Sequence, residues 1–458
     1  MTMRITVIGT GYLGATHAAC LAEIGFEVLG VDTDPAKVAA LNAGRLPFHE
    51  PALPELLAKH VASGRLAFTT SMADAADFSD IHFLAVGTPQ SGDDGHADMS
   101  QIDGAVRSLV AHSTRDALII GKSTVPVGTA RRLASMARKL AHPDTTVDVA
   151  WNPEFLREGY AVKDTLTPDR LVFGTEDPRA LATLRAVYAQ AIAAGTPVVE
   201  TDFETAELVK VAANAFLATK ISFINAFSEI TEVAGGNIAT LADAIGMDAR
   251  IGRRFLNAGL GFGGGCLPKD IRALQARTRE LGLDTTMDFL AAVDQVNLRR
   301  RDKVVDVVDS MLHAAGPGAK VAVLGASFKP ESDDVRDSPA LDVAERLDGL
   351  GYAVSVFDPV ARDSARRRSP QLDYPETLEE AVSGAEMVLL LTEWGQFRSL
   401  QPGDLDSLVA GRRILDARNV LDAAHWIDAG WDMVQLGRKP EDTSASRAAA
   451  AVDMAVQA

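Results

Sequence analysis

The first 32 residues carry the pattern that most restricts how this chain can fold. They predict a strand, a glycine-rich turn, a proline-free helix and a second strand over residues 4–8, 9–14, 15–25 and 27–31. Gly9, Gly11 and Gly14 have the spacing G-x-G-x-x-G, and Asp32 follows the second strand. A carboxylate there can accept hydrogen bonds from both ribose hydroxyls of an adenine dinucleotide and would repel a 2′-phosphate. The pattern predicts an NAD-binding βαβ unit, with a plain glycine-rich turn as the alternative.

Strands and helices alternate over about the first 200 residues, and three predicted strands end at polar turns, at 87–89, 121–126 and 151–154. The carboxyl ends of parallel strands line one crevice, so ligands are expected there. Helical patterns at 203–233 and 287–313 predict an all-α middle segment. Strands from residue 320 onward predict a second Rossmann-like domain. It lacks the full glycine fingerprint, so it is expected to bind a mononucleotide or nothing.

The predicted fold is α/β, with two Rossmann-like, doubly wound parallel-sheet domains joined by an all-α middle segment with long helices. The expected boundaries are an N-terminal NAD-binding domain at 1–200, a helical middle domain at 201–314, a C-terminal Rossmann-like domain at 315–437 and a disordered tail at 438–458.

The charge and cysteine content restrict the partners and the compartment. The 458 residues include 45 basic and 62 acidic side chains, a net charge of −17, so no general attraction for nucleic acid or anionic membranes is expected. Cys20 and Cys266 are far apart in sequence and do not suggest a disulfide framework, which favours a reducing cytoplasm. The first strand begins by residue 4, and no signal peptide or membrane span is expected. No metal site is predicted, because the nine histidines are scattered.

Cys266 follows a glycine run in the segment Gly-Phe-Gly-Gly-Gly-Cys-Leu-Pro-Lys-Asp, residues 261–270. Glycines let a substrate approach the main chain, and Pro268 suits the first position of a helix. A thiol at a helix N-terminus beside Lys269 is activated as a nucleophile. The alternative is a buried structural cysteine at a tight turn.

Lys210 and Asn214 are four residues apart in a helical segment, so both side chains lie on one face. A cation and an amide donor aimed at one oxygen could stabilise a developing oxyanion. A solvated lysine and a surface asparagine are the alternative.

Five motifs together resemble the UDP-glucose 6-dehydrogenase family. They lie, in the family's order, at residues 9–32, 152–159 (Asn-Pro-Glu-Phe-Leu-Arg-Glu-Gly), 207–216, 261–270 and 325–330. The segment before Cys266 is more similar to the glucose enzymes than to the relatives that act on N-acetyl sugars, which have histidine before the cysteine. Gly265 stands where many members have serine. GDP-mannose or another nucleotide sugar is the alternative substrate.

The resemblance implies a four-electron, NAD-dependent oxidation of UDP-glucose at C6, through an aldehyde, to UDP-glucuronate, with two NADH released. Cys266 would form a thiohemiacetal and then a thioester, which Glu154 as base would help water to cleave. Lys210 and Asn214 would stand at the reacting end of the sugar. Asp270 would hold a water against Lys210 and help to remove the alcohol proton. Thr124 would complete the catalytic residues.

The resemblance also implies the binding residues. The cofactor contacts would be Gly9, Gly11, Gly14, Asp32, Lys37, Thr88, Thr124, Glu158, Lys269 and Arg336. The substrate contacts would be Glu154, Phe155, Leu156, Arg157, Glu158, Lys210, Asn214, Phe255, Leu256, Asn257, Ala258, Gly259, Gly263 and Lys329, of which Lys329 would meet the UDP moiety in the C-terminal domain. Arg250 would reach the sugar nucleotide of the neighbouring subunit, across a homodimer or larger homo-oligomer built on the middle helices.

Two functions of other classes remain open at this point. A single-step, NAD-dependent hydroxyacid dehydrogenase would explain the first domain but would leave Cys266 and Glu154 without a role. A non-catalytic protein that binds NAD or a nucleotide sugar would need neither the thiol nor Lys210 and Asp270 together.

Overall fold

The structure is a computed structural model, and it describes residues 3–91 and 95–439. The chain divides into two compact units, Met1–Asn214 with Lys269–Met287, and Ala215–Pro268 with Asp288–Ala458. The tail predicted at 438–458 lies outside the described residues, apart from its first two positions.

The first unit contains an eight-stranded sheet with the order β10-β9-β8-β7-β4-β1-β2-β3 and a separate hairpin of β5 and β6. All neighbouring strands of the sheet are parallel except β8 and β9. The strands are β1 (Arg4–Ile8), β2 (Glu27–Val31), β3 (Leu66–Thr69), β4 (Ile81–Leu84), β5 (Gln90–Ser91), β6 (His96–Ala97), β7 (Ala117–Gly121), β8 (Val147–Trp151), β9 (Leu171–Gly174) and β10 (Val198–Thr201).

Both faces of this sheet are buried, as the near-continuous apolar strands require. Leu118 and Ile120 of β7 pack in one hydrophobic core, whereas Ile119 between them packs in another. The covering helices are α1 (Tyr12–Ile24), α2 (Pro35–Asn42), α3 (Leu53–Ala62), α4 (Met72–Phe78), α5 (Ser100–His112), α6 (Thr129–Leu140), α7 (Ala161–Leu166), α8 (Pro178–Val187) and α9 (Ala189–Ala193). The predicted doubly wound sheet is confirmed. Its strand order reverses at β1, between β4 and β2, which is where ligands bind in such folds.

The regular elements between residues 203 and 312 are all helices. They are α10 (Phe203–Ala234), α11 (Ile238–Gly246), α12 (Leu267–Glu280) and α13 (Asp288–Leu312). The division between the two units falls within α10 and α12, so Lys210 and Asn214 belong to the first unit and Cys266 belongs to the second. None of the helices in the described ranges is long and apolar enough to cross a bilayer.

The second unit contains a five-stranded, all-parallel sheet with the order β12-β11-β13-β14-β15. Its strands are β11 (Lys320–Leu324), β12 (Ala353–Phe357), β13 (Met387–Leu390), β14 (Arg413–Asp416) and β15 (Asp432–Gln435). Val321 and Val323 pack in one core and Ala322 and Leu324 in another, so this sheet is also covered on both faces. Its helices are α14 (Pro339–Gly349), α15 (Arg362–Arg368), α16 (Leu378–Val382), α17 (Gly395–Arg398), α18 (Pro402–Leu405) and α19 (Ala423–Asp428).

Asp358 follows β12 as Asp32 follows β2, but its carboxylate is occupied within the domain. It is buried, and Oδ2 accepts four hydrogen bonds while Oδ1 accepts two, at 2.7–3.1 Å. The donors are the backbone N–H groups of Ala326, Ser327, Val360 and Ala361, the Ser327 hydroxyl and the Trp394 indole. Because a carboxylate offers about four lone-pair directions, Asp358 has none left for a ribose.

Candidate active site

The turn between β1 and α1 requires glycine at two of its three fingerprint positions. Gly9 has a φ of +89°, and a Cβ there would lie 2.8 Å from the backbone of Val86. A Cβ on Gly14 would lie 1.7 Å from the carbonyl oxygen of Gly9. A Cβ on Gly11 would meet nothing within 4 Å, so the open side of the turn is at Gly11. A pyrophosphate fits there, against the N-terminus of α1.

Asp32 is held at the edge of this turn by hydrogen bonds. Oδ2 accepts from the backbone N–H and the hydroxyl of Thr10, both at 3.0 Å, and from Lys37 Nζ at 2.9 Å. Oδ1 accepts from the backbone N–H of Asp34, at 3.1 Å. Partial burial raises the pKa of Asp32, but these hydrogen bonds outweigh it and hold the pKa below its ordinary value. The ionised Oδ1 retains capacity for a ribose hydroxyl, so an adenine dinucleotide fits the residues present.

Thr88 and Thr124, predicted at the cofactor, lie together beyond the ends of β4 and β7. The Thr88 hydroxyl donates to the carbonyl oxygen of Thr124 at 2.8 Å. Lys269 Nζ lies 3.4 Å from the Thr88 hydroxyl and 2.9 Å from Asp270 Oδ1. The structure therefore brings three of the predicted cofactor residues together at the strand ends.

Glu154 and Lys210 form a buried ion pair. Lys210 Nζ lies 2.9 Å from Glu154 Oε1, and the side chains are 7% and 13% exposed. Glu154 Oε2 accepts a hydrogen bond from the backbone N–H of Leu156 at 2.6 Å, within a loop that has no regular secondary structure. The Lys210 ammonium is also 5.8 Å from the centre of the Phe155 ring. The alternative of a solvated lysine is therefore wrong, because the ammonium is buried against a carboxylate.

Asn214 and Asp270 form the second buried contact on this face of α10. Asn214 Nδ2 donates to Asp270 Oδ2 at 2.6 Å, and both residues are buried. The alternative of a surface asparagine is wrong as well. Asp270 contacts Lys269 and Asn214, and the place predicted for a water against Lys210 stays a prediction.

Cys266 is exposed and immediately precedes α12. The helix begins at Leu267, so Pro268 is its second residue rather than its first. The alternative of a buried structural cysteine is wrong for Cys266, whereas it describes Cys20, which lies in a hydrophobic core. A Cβ on Gly265 would lie 2.3 Å from the guanidinium carbon of Arg336, so a serine at this position would displace that side chain.

The second unit contains a cavity of about 570 Å³. It is lined by the predicted sugar-nucleotide loop, residues 255–259, and by Gly263 and Lys329. Arg418 and Asn419 also line it, and the sequence reasoning did not identify either. Arg418 Nη1 donates to the carbonyl oxygen of Gly261 at 3.1 Å, and Asn419 Nδ2 donates to that of Ala258 at 3.1 Å.

Buried side chains fix the backbone of this loop. Asn225 Oδ1 accepts from the N–H of Gly259 at 2.8 Å, and Arg300 Nε donates to the carbonyl oxygen of Gly259 at 3.2 Å. Asn297 exchanges two hydrogen bonds with the backbone of Phe262, at 2.7 and 2.9 Å. Side chains of α10 and α13 therefore hold the main chain of the cavity wall at Gly259 and Phe262.

The three arginines predicted to contact cofactor or substrate each have a carboxylate partner. Arg157 pairs with Asp164, Arg336 with Asp334 and Arg250 with Asp248. The Arg250 side chain is 89% exposed and does not line the cavity of the second unit. These pairs are local in sequence, and the proposed contacts with cofactor or substrate stay predictions.

Sequence reasoning missed two buried charged residues of the first unit, Glu207 and Lys122. Glu207 accepts from the backbone N–H groups of Gly128 and Ala130, at 2.7 and 2.6 Å, and so caps the N-terminus of α6. Burial raises the pKa of Glu207 to about 7, against the opposing effect of these two hydrogen bonds.

Lys122, directly after β7, is 6% exposed and binds Asn152. The detectable signal was a lysine at the end of an otherwise fully buried strand.

Three family models match the chain in order. Residues 3–192 match the NAD binding domain of the UDP-glucose/GDP-mannose dehydrogenase family, residues 204–299 its central domain and residues 322–423 its UDP binding domain.

Curated relatives and a solved structure are similar over nearly the whole chain. The UDP-glucose 6-dehydrogenase YwqF of Bacillus subtilis is 40% identical over 95% of this chain and 98% of its own length. The UDP-glucose 6-dehydrogenase of Rhizobium meliloti is also 40% identical, over 95% of this chain and 100% of its own length. The UDP-glucose dehydrogenase structure from Pyrobaculum islandicum has a TM-score of 0.85 at 37% identity and covers 93% of this chain and 96% of its own. Because the family models and these relatives span most of the chain, the protein belongs to the UDP-glucose/GDP-mannose dehydrogenase family and is an NAD-dependent oxidoreductase.

Proposed function

We propose that this protein oxidises UDP-glucose at C6 to UDP-glucuronate, with removal of four electrons and release of two NADH. The observation that carries the proposal is the pair of buried contacts on α10, Lys210 with Glu154 and Asn214 with Asp270. Cys266, four residues before Asp270, would have no role as a nucleophile in a single-step alcohol dehydrogenase. The names of the relatives support UDP-glucose over GDP-mannose.

NAD supplies a hydride acceptor, and each oxidation of the substrate consumes one. In the first oxidation the C6 alcohol loses a hydride and a proton, and Asp270 assists the proton's departure through a water. The Cys266 thiol then adds to the aldehyde carbon, and its proton goes to the new oxygen of the thiohemiacetal. Lys210 and Asn214 stabilise the negative charge that develops on this oxygen.

The second oxidation removes a hydride and a proton from the thiohemiacetal and leaves a thioester on Cys266. Water then attacks the thioester carbon, the C–S bond breaks and Cys266 leaves as the thiolate. Glu154 accepts the proton of the attacking water, as a carboxylate beside Lys210 is able to do. The nicotinamide cofactor would be contacted by Thr88, Thr124 and Lys269.

The second-unit cavity is the proposed site of the sugar nucleotide. Lys329 would bind the diphosphate, whose charge needs a local cation in a chain with a net charge of −17. The loop from Phe255 to Gly259 would wrap the nucleotide, with Gly263 allowing close approach.

We also propose a homodimer through the middle helices, with the segment 201–314 as the dimerisation domain. On α10, Phe216, Phe223 and Ile230 are exposed at seven-residue spacing and so share one face. The exposed Arg250 would serve the neighbouring subunit's substrate.

The stoichiometry of the reaction tests the proposal. Each UDP-glucose consumed is expected to yield one UDP-glucuronate and two NADH, because the aldehyde stays on Cys266 for the second oxidation. NADH is measured by absorbance and the sugar products by mass spectrometry, with UDP-N-acetylglucosamine and GDP-mannose as comparison substrates. One NADH per sugar, with free aldehyde accumulating, would refute the four-electron mechanism. Faster turnover of GDP-mannose than of UDP-glucose would refute the assignment of UDP-glucose as the substrate.

Asp32 is expected to control the choice of cofactor. Asp32→Ala removes the ribose acceptor and the repulsion of a 2′-phosphate, so NAD binding should weaken and the preference for NAD over NADP should narrow by about 100-fold, with roughly one decade from each effect. Titration with both cofactors measures the preference, and Asp34→Ala is the matched control at a nearby carboxylate that caps α2. An unchanged preference would mean that Asp32 does not face the ribose.

A further inference from the structure

Lys122 is a buried cation without a close counter-ion. Among the residues that the structure describes, no carboxylate oxygen lies within 4 Å of its ammonium. Nζ donates instead to Asn152 Oδ1 at 3.0 Å, to the Asn152 carbonyl oxygen at 3.4 Å and to the Tyr188 hydroxyl at 3.1 Å. The Phe83 and Tyr188 rings lie 5.8 and 5.7 Å away. A buried ammonium costs free energy, so a specific role would explain why this position carries one.

The sheet places Lys122 beside the loop that carries Glu154. Strands β7 and β8 are parallel neighbours, and their last residues, Gly121 and Trp151, are paired. Lys122 and Asn152 are the next residues of the two strands, so they lie side by side. Asn152 is 1% exposed and begins the irregular loop that contains Pro153 and Glu154.

The other bonds of Asn152 make Lys122 part of a closed network. Asn152 Nδ2 donates to the carbonyl oxygen of Val172 at 3.0 Å, and the Tyr188 hydroxyl donates to Asn152 Oδ1 at 2.6 Å. Lys122 also donates to the carbonyl oxygen of Asn152, which lies on the main-chain path to Glu154. The ammonium therefore fixes both the side chain and the backbone at the start of this loop.

We propose that Lys122 is a positioning residue for Glu154 in thioester hydrolysis. By holding Asn152 at the start of the loop, it keeps the Glu154 carboxylate where it can accept a proton from water, while Lys210 contacts the same carboxylate directly. The proposal rests on the function proposed above and adds to it a residue that touches neither substrate nor cofactor. Misplacing a catalytic group by about 1 Å can slow a step by about 100-fold.

Burial lowers the pKa of Lys122; the charge of Glu154 opposes this change and the charge of Lys210 adds to it, and the net pKa is about 8. The ammonium form therefore still predominates at neutral pH. The other titratable groups around it are His17 of α1 and Tyr188, and Asp164, Asp169 and Arg170 line the same small cavity of about 50 Å³.

The test separates thioester hydrolysis from the two oxidations. Lys122→Met is expected to slow hydrolysis by about 100-fold, with the first hydride transfer and the KM for NAD nearly unchanged. The acyl adduct on Cys266 should then accumulate and be visible by intact mass spectrometry after an acid quench. Glu154→Gln is the reference that should accumulate the same adduct. Lys320→Met, at a lysine that donates to two main-chain carbonyls in the second unit, is the control that should not.

Lys122→Gln provides a second variant if Lys122→Met does not fold. Glutamine is neutral and its side chain is one atom shorter, so it holds the loop less well, and about tenfold slower hydrolysis is expected. Hydrolysis at the wild-type rate in a folded variant, or an equal loss in every step, would overturn the proposal. If Glu154→Gln accumulates no adduct, the base of the proposed function is wrong. That result is distinct from a failure of Lys122 alone.

Discussion

Cys266→Ala is expected to abolish formation of UDP-glucuronate while leaving NAD affinity nearly unchanged. The thiol is exposed and directly precedes α12, whereas the predicted cofactor contacts are made by the glycine turn and Asp32 in the other unit. Without the thiol the aldehyde cannot form a thiohemiacetal, so the second oxidation loses its substrate. At most one NADH per sugar should appear, and it should be accompanied by aldehyde.

Cys20→Ala is the matched control for this experiment. Cys20 is fully buried in a hydrophobic core, and burial raises the pKa of its thiol to about 12, which leaves it unreactive. Its replacement should change turnover little. Comparable acid production by wild type and Cys266→Ala would refute the nucleophilic role of Cys266. Loss of activity in Cys20→Ala alone would show that activity depends on packing around Cys20 and not on the Cys266 thiol.

Lys210→Met is expected to lower kcat by about 100- to 1,000-fold, the usual loss when one donor to a developing oxyanion is removed. It should also destabilise the fold by about 3 kcal/mol, because the buried Glu154 carboxylate loses its partner. Steady-state kinetics and urea unfolding measure the two effects separately.

The double variant Lys210→Met with Glu154→Gln separates the structural effect of Lys210 from its catalytic effect. A neutral glutamine removes the unpaired charge, so most of the lost stability should return, but activity should stay low because both functional groups are absent. A Lys210→Met enzyme with wild-type kcat would show that the ammonium serves only the ion pair.

Much of the fold followed from local sequence patterns. The predicted strands at 4–8 and 27–31 are present with the same bounds, and the long helical patterns correspond to α10 and α13. Those elements are strongly apolar or periodic, and a glycine directly follows β1 and α10. The antiparallel placement of β9 beside β8 was not predicted, because pairing between distant strands depends on tertiary packing rather than on local propensity.

The candidate site was predictable where a residue type is chemically unusual in its setting. Cys266 after a glycine run is such a case, and the spacing of Lys210 and Asn214 placed both on one helix face. The burial of that face could not be read from its neighbours, since apolar residues beside a lysine do not show whether its ammonium is covered. The apolar strand before Lys122 indicated that its ammonium is buried, but its partner Asn152, which follows a strand 30 residues later, could not be identified from local sequence.

The saturated carboxylate of Asp358 has a consequence for engineering. Introducing a complete glycine fingerprint at 325–330 would not create a second dinucleotide site. The carboxylate of Asp358, which would have to bind the ribose, already accepts hydrogen bonds from the surrounding backbone. Freeing it would remove six hydrogen bonds from a domain core. Asp32 and Asp358 thus lie at the same topological position of their sheets, but Asp32 has capacity for a ligand and Asp358 has none. An engineered dinucleotide site in the second unit would first need other groups to replace the hydrogen bonds that Asp358 accepts.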